Sequence, residues 1–90
     1  MAELLELEIA TPERALVRQQ VSDVQLPGKD GYLGILPGHA ALLSELGAGT
    51  LSITGAGTTE NFTVTGGYVE VRDDHVRVLA DSVEQGPGGV

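Results

Sequence analysis

Cysteine and tryptophan are absent from this 90-residue chain, and only three of its side chains are aromatic. Without thiols the protein has no disulfide scaffold, no thiolate zinc site and no cysteine nucleophile. Because Tyr32, Phe62 and Tyr68 are the only aromatic residues, the chain also lacks a ring-lined surface for stacking on nucleic-acid bases. The sequence therefore predicts a core of Val, Leu, Ile and Ala.

Positive charge is also scarce. Five basic residues stand against 13 acidic ones, which gives a formal net charge of -8. The basic residues are scattered along the chain and form no cationic stripe, so we do not expect nucleic acid or anionic lipid as direct partners. Charged residues interrupt every hydrophobic segment before it reaches the length of a bilayer-spanning helix. We therefore expect no direct insertion into lipid and, with no recognisable signal peptide, a cytosolic location.

Alternation of apolar and polar residues is the main pattern in the chain. Residues 5–9 alternate Leu or Ile with Glu, which places the apolar side chains on one face of a strand. The same alternation occupies 69–78 on both sides of Asp73 and Asp74. Two such segments joined by two turn-forming residues predict a β-hairpin.

Other segments predict further strands and interruptions. Residues 51–54 and 62–65 are typical of two strands of a hairpin, joined by a glycine-containing loop at 55–61. In the segment 15–26 the phase of the alternation breaks near positions 19 and 20. This break predicts a bulge or bend between two strand halves.

The spacing of these segments predicts the organisation of the whole chain. Regular strands, glycine-rich turns and the lack of a helical pattern indicate an all-β sandwich domain over residues 1–84. Residues 85–90 contain glycine and proline but little apolar surface. We therefore expect a flexible tail there.

No group of residues has the spacing of a catalytic or cofactor site. None of the four serines lies in a Gly-x-Ser-x-Gly turn, and no glycine loop carries the lysine of a phosphate-binding loop. His39 and His75 are far apart in sequence and belong to no dense ligand cluster. We expect no catalytic residue, cofactor or metal. The profile favours a binding or assembly module, with a pocketed ligand-binding sandwich or a small hydrolase as alternatives.

Two runs of sequence carry a resemblance to a known family. They are LPGKDGYLGILPGHAALLSELGAGTLSI at 26–53 and VTGGYVEVRDDHVRVLADSVE at 64–84. Their most specific parts are GILPGHA with the two leucines after it, the glycine pair before VEV, and VLAD. In this order and spacing, from Leu5 to about Gln85, the chain resembles the amino-terminal domain of the epsilon subunit of the F-type ATP synthase.

The resemblance implies a fold and a function. The fold is a flattened sandwich of about ten short, mainly antiparallel strands. The function is that of a non-catalytic rotor subunit, which binds the gamma subunit at the foot of the central stalk and rests on the polar loops of the membrane c-ring. It thereby couples rotation of the ring to the catalytic head. The expected setting is the cytoplasmic face of a bacterial inner membrane, or the stromal side of a plastid thylakoid. A free-standing binding sandwich that shares only the fold is the alternative.

The resemblance also assigns contact residues. The gamma contact is expected at His39, Ala40, Ala41, Ser44 and Thr11. The c-ring contact is expected at Lys29, Asp30, Gly31 and Tyr32. Tyr32 departs from the Glu or Gln that is common in the family at that position. The alternatives are that His39 hydrogen-bonds only within the sandwich and that the loop at 29–32 is merely solvated.

The largest departure from the family follows Asp81. Most family members continue there into a charged, alanine-rich helical hairpin that can inhibit ATP hydrolysis. Residues 82–90 have no such helical pattern. We therefore expect a subunit that couples and assembles without inhibiting hydrolysis by that route.

Overall fold

Residues 3–86, which a computed structural model describes, form eight β-strands and contain no helix. The strands are β1 (Leu5–Ala10), β2 (Ala15–Val21), β3 (Asp23–Gly28), β4 (Gly31–Ile35), β5 (Leu42–Glu45), β6 (Ala48–Gly55), β7 (Thr58–Arg72) and β8 (His75–Gln85). The predicted all-β class is confirmed.

The strands pair in the order β2-β1-β8-β7-β6-β3-β4, and β5 pairs with β7 outside this path. Only the pairing of β1 with β8 is parallel among the named strands, so the predicted mainly antiparallel arrangement is confirmed. The count is eight rather than about ten because β7 and β8 run for 15 and 11 residues. β7 pairs with β6 along its first half and with β5 along its second half. β8 pairs with β7 along its whole length and with β1 along residues 75–79.

A pair of glycines marks the point where β7 passes from one group to the other. Before it, Phe62 and Val64 are buried, whereas after it Val69 and Val71 are buried, so the inward-facing phase shifts within the strand. Gly66 and Gly67 have φ values of 62° and 113°. A Cβ at Gly67 would overlap the Leu79 carbonyl oxygen. Glycine is therefore required there, both for the backbone conformation and for the close approach of β8.

The two groups of strands enclose one core. Its fully buried side chains come from β1, β2 and β8 on one side, from β3, β4 and β6 on the other, and from both halves of β7, so the sheet folds over on itself as a sandwich. All the buried side chains are apolar, and no polar or charged residue is buried within the described part of the chain. The predicted aliphatic core is confirmed, with Phe62 as its aromatic member.

One hairpin turn has the predicted length, and a second is shorter than the sequence predicts. Asp73 and Asp74 form the predicted two-residue turn, with φ values of 51° and 60° that define a type I′ turn. The turn between β6 and β7 contains only Ala56 and Gly57, so the predicted loop over 55–61 is wrong. Its remaining polar residues continue the pairing of β6 with β7 and are therefore part of the sheet.

The bend predicted near residues 19 and 20 lies at Ser22, where β2 ends and β3 begins, and β2 also contains a bulge that the sequence did not predict. In the pairing of β1 with β2, Ile9 is opposite Val17 and Ala10 is opposite Ala15, which leaves Leu16 as the extra residue of a bulge. The strand then runs regularly to Val21 and breaks at Ser22.

Near the end of the described chain, Gln85 closes β8 and the Gly86 N–H donates a 2.7 Å hydrogen bond to the Asn61 carbonyl. The rest of the predicted tail, 87–90, lies outside the described residues. Residues 3–86 contain no helix of the length and apolarity needed to span a membrane.

Candidate docking surfaces

The sandwich has two exposed sheet surfaces. We call face A the exposed surface of β2, β1, the 75–79 half of β8, the 68–72 half of β7, and β5. Face B is the exposed surface of β4, β3, β6, the 58–65 half of β7 and the 82–85 half of β8. Because successive side chains of a strand alternate between faces, the buried positions identify which residues each face presents.

Face A presents an apolar stripe. Tyr68 and Leu79 are opposite each other in the pairing of β7 with β8, and they are 54% and 47% exposed. Leu79 is in turn opposite Ala10 of β1. Leu43 of β5 is 72% exposed and lies on the next row, opposite Glu70. Contiguous exposed apolar side chains of this kind mark an interaction surface.

A ladder of alternating charge runs beside this stripe. Arg18, Glu8, Arg77 and Glu70 lie opposite one another on four successive strands. Arg77 Nε is 3.2 Å from Glu8 Oε1. Alternation of sign across the strands places every charge next to an opposite one, so this row is electrically balanced.

Face A carries only a small part of the net charge. Its ionised side chains are four acidic and three basic ones. They are Glu6, Glu8, Glu45, Glu70, Arg18, Arg72 and Arg77. Their formal charge is -1, so -7 of the total of -8 belongs to the rest of the chain. A nearly neutral surface with exposed apolar side chains is typical of a protein interface.

The GILPGH segment forms a type II turn at the edge of face A. The His39 N–H donates to the Leu36 carbonyl at 3.1 Å, with Pro37 and Gly38 as the central residues. Gly38 has a φ of 88°, which the third position of such a turn requires and glycine adopts without strain. Leu36 is 61% exposed, and His39, Ala40 and Ala41 are exposed after it.

His39 makes a local hydrogen bond and no contact with the core. Its Nδ1 is 2.7 Å from the Ala40 carbonyl oxygen. Because a carbonyl only accepts, Nδ1 carries the proton and Nε2 remains as the second polar atom of the exposed ring. The structure therefore places His39, Ala40 and Ala41 together where a partner can reach them.

The other two residues of the expected gamma contact lie elsewhere. Ser44 alternates with Leu43 on β5, so it points away from face A and lies beside the β3–β4 turn. Thr11 follows the end of β1 that pairs with Leu79, whereas the His39 turn lies near the end that pairs with His75. The structure therefore does not join Ser44 or Thr11 to the His39 group, although the apolar stripe extends toward Thr11 through Ala10.

The four residues of the expected c-ring contact lie together at the turn between β3 and β4. Lys29 and Asp30 are the two-residue turn between β3 and β4, and Gly31 and Tyr32 begin β4. The Lys29 N–H donates to the Glu45 carbonyl at 3.0 Å, and Lys29 Nζ is 3.0 Å from Glu45 Oε2. The Tyr32 hydroxyl accepts a 3.0 Å hydrogen bond from the Thr50 N–H. The turn is therefore held against β5 and β6, with its tip exposed.

Chemistry other than docking has little support within residues 3–86. No three His, Asp or Glu residues lie together as a metal site. A depression of about 410 Å³ on face A is lined mainly by the charged residues of the ladder and its neighbours. An apolar pocket with a few convergent polar groups is what a small-molecule site needs, and this depression lacks the apolar lining.

Sequence reasoning missed the residues of the apolar stripe. Leu43, Tyr68 and Leu79 occupy the solvent-facing phase of strands whose inward phase is already filled by Val69, Val71 and their partners. The sequence could have indicated these residues, because each is an apolar residue at a strand position where alternation predicts a polar, exposed one. The signal becomes a surface only when strand register brings the three side chains together.

Comparison with known proteins identifies the family. Residues 4–86 match the family described as "ATP synthase, Delta/Epsilon chain, beta-sandwich domain". The ATP synthase epsilon chain of Solibacter usitatus is 58% identical over 85 residues, which cover 94% of this chain and 63% of that one. The epsilon chain of Koribacter versatilis is 45% identical over 94% of this chain and 60% of its own length. The chain thus spans less than two thirds of these curated relatives.

Solved structures share the fold. A cryo-EM structure of the Euglena gracilis mitochondrial ATP synthase contains a chain that superposes with a TM-score of 0.85 at 20% identity, covering 91% of this chain and 53% of that one. A chain of the Tetrahymena thermophila mitochondrial ATP synthase superposes with a TM-score of 0.77 at 21% identity, covering 91% and 66%. With the matched motifs and the sandwich on which they lie, these findings show that the chain belongs to the family of ATP synthase delta/epsilon chains, as their β-sandwich domain.

Proposed function

We propose that this domain is a non-catalytic part of the ATP synthase central stalk, and that it binds the gamma subunit through face A. The observation that carries the proposal is the uncovered apolar stripe of Leu43, Tyr68 and Leu79 on a surface with a formal charge of only -1. An obligate rotor contact needs apolar area with charge depleted at its centre. The His39 turn extends this surface at one edge.

A second contact, with the loops of the c-ring, is proposed for the Lys29–Tyr32 turn. The Euglena and Tetrahymena neighbours are structures of assemblies that contain a c-ring. In this chain the turn is exposed at its tip and tied to Glu45 at its base. β5 therefore links the turn to Leu43 on face A. Torque from a partner at the turn would reach face A through β5 and its pairing with β7. As part of the ATP synthase, the domain would lie at the cytoplasmic face of the membrane.

Inhibition of ATP hydrolysis is not part of the proposal. Residues 3–86 contain no helix, and the helical route of the family therefore has no counterpart within them. We expect this chain, added alone to an ATP synthase head depleted of its own epsilon chain, to leave the hydrolysis rate unchanged. A lowered rate would show that the sandwich itself inhibits.

Calorimetric titration of the chain into purified gamma subunit from the same source tests the gamma contact. Leu79→Glu places a charge at the centre of the stripe, and we expect it to weaken binding about tenfold or more. Ser82→Glu is the matched control, because it adds the same charge on the same strand but on face B, opposite Thr65. Equal affinities for the two variants would exclude face A as the docking surface.

A further inference from the structure

Asp74 lies where three segments of the chain meet. Its backbone belongs to the type I′ turn between β7 and β8. Its carbonyl oxygen accepts a 2.8 Å hydrogen bond from the Glu6 N–H, at the start of the parallel pairing of β1 with β8. Its side-chain Oδ1 accepts a 2.7 Å hydrogen bond from the Gly38 N–H. One residue thus joins the β7–β8 turn, β1 and the turn that carries His39.

The bond to Gly38 ties the 36–41 segment to the body of the sandwich. The other hydrogen bonds formed by the amides and side chains of Gly38 and His39 run inside the segment, from the His39 N–H to Leu36 and from its ring to Ala40. A Cβ on Gly38 would meet no atom within 4 Å, so no side chain packs against this glycine on that side. A short bond from an amide to a carboxylate is stronger than one between neutral groups. Asp74 is therefore the main polar constraint on the position of the turn.

The backbone conformation of Asp74 supports a specific role for its side chain. Both turn residues have positive φ, a conformation that glycine and asparagine adopt more easily than aspartate. Asp73 is exposed, and its carbonyl oxygen, not its side chain, lies 3.1 Å from His75 Nδ1. Asp74 is partly buried and uses its carboxylate. The same strain is thus present twice, but only at Asp74 does the side chain bridge two segments.

We propose that Asp74 is the positioning residue of the His39 turn: its carboxylate holds the Gly38 amide and sets the place of Leu36 and His39 at the edge of face A. The consequence for binding rests on the proposed gamma contact. The consequence for the free chain does not, because the hydrogen bond exists without a partner.

Three variants isolate the side chain. Asp74→Gly removes the acceptor and suits a φ of 60° without strain. Asp74→Asn keeps an Oδ1 acceptor in a residue that tolerates positive φ. Asp73→Gly relieves the same strain one residue earlier and leaves the bond to Gly38 in place, so it is the matched control.

Amide exchange of Gly38 in the free, folded chain is the first measurement. We expect Asp74→Gly to raise its exchange rate about tenfold and Asp74→Asn to raise it less, about threefold, because a neutral amide oxygen is a weaker acceptor than a carboxylate. Asp73→Gly should stay within about twofold of the unsubstituted chain. Equal Gly38 exchange in Asp74→Gly and Asp73→Gly would overturn the proposal.

Affinity for gamma is the second measurement. Asp74→Gly should weaken binding about three- to tenfold, with rescue in Asp74→Asn and no effect in Asp73→Gly. Faster Gly38 exchange without a change in affinity would overturn the role in docking. If the unsubstituted chain does not bind gamma at all, the proposed function fails, and the exchange experiment still decides whether Asp74 holds the turn.

Discussion

Tyr68 and Leu79 lie opposite each other across the pairing of β7 with β8, and about half of each side chain is exposed on face A. Their immediate neighbours along the strands, Val69 and Val78, point to the other side and are completely buried. Two apolar pairs therefore stand back to back, one inside the core and one on the surface. The inner pair holds the fold together, and the outer pair is available to a partner.

This arrangement predicts opposite effects for two adjacent substitutions. Tyr68→Ala should lower the free energy of unfolding by less than about 1 kcal/mol, because the side chain is largely exposed, but it should weaken gamma binding. Val69→Ala should cost about 2 to 3 kcal/mol of stability, because it opens a cavity in the core. Urea unfolding gives the first quantity and titration with gamma the second. A larger stability loss for Tyr68→Ala than for Val69→Ala would contradict the assignment of the two faces.

The crossing at Gly67 predicts a large stability effect. Gly67→Ala brings a methyl group into the Leu79 carbonyl at a φ of 113° and should cost at least about 3 kcal/mol or prevent folding. Gly57→Ala, at a positive φ but in open space, should cost about 1 kcal/mol. Denaturant midpoints of the two variants measure the difference. Similar midpoints would mean that β8 does not approach β7 so closely.

The nearly balanced charges of face A predict a binding contact that is insensitive to salt. The dissociation rate constant from gamma should change less than about twofold between about 0.1 and 1 M sodium chloride, because screening acts little on a nearly neutral contact with apolar side chains. The association rate is free to vary, since the remaining surface carries -7 of the total charge of -8. Surface plasmon resonance separates the two rates. A dissociation rate that rises about tenfold with salt would indicate an interface held by ion pairs.

The Lys29–Tyr32 turn predicts a separation of two contacts. Lys29→Ala breaks an ion pair whose members are both more than half exposed, so it should cost less than about 1 kcal/mol of stability. Lys29→Ala and Tyr32→Ala should leave gamma binding unchanged, because neither residue lies on the apolar stripe, and should weaken binding of the chain to isolated c-ring. Loss of gamma binding in either variant would show that the two surfaces are one.

The sequence predicts the strands better than the surfaces, for a physical reason. Alternation in 69–78 is a local pattern that reports which side chains turn inward, and the hairpin it predicts at Asp73 and Asp74 is confirmed. The break in alternation near residues 19 and 20 corresponds to the junction of β2 and β3 at Ser22, two residues later. The bulge at Leu16 was not predicted, because it depends on the register between β1 and β2, which two separate segments decide together.

The same limit applies to the contact residues. The family resemblance assigns His39 to the gamma contact, and the structure places His39 in an exposed turn. Ser44 is separated from that turn because Leu43 and Ser44 are consecutive in β5, so their side chains point to opposite sides of the sheet. The stripe of Leu43, Tyr68 and Leu79 arises from the register of three strands, so no single stretch of sequence contains it. The roles of His39 and of the Lys29–Tyr32 turn remain predictions.

Because the chain contains no cysteine, single introduced cysteines give the most direct test of docking through face A. Single cysteines at Leu79 on face A and Ser82 on face B are labelled with a maleimide, with and without gamma, and the mass of this chain reports the labelling rate. If gamma binds face A, it protects Leu79→Cys from labelling with maleimide and leaves Ser82→Cys as reactive as in the free chain. Protection of Ser82→Cys with Leu79→Cys still reactive would contradict docking through face A.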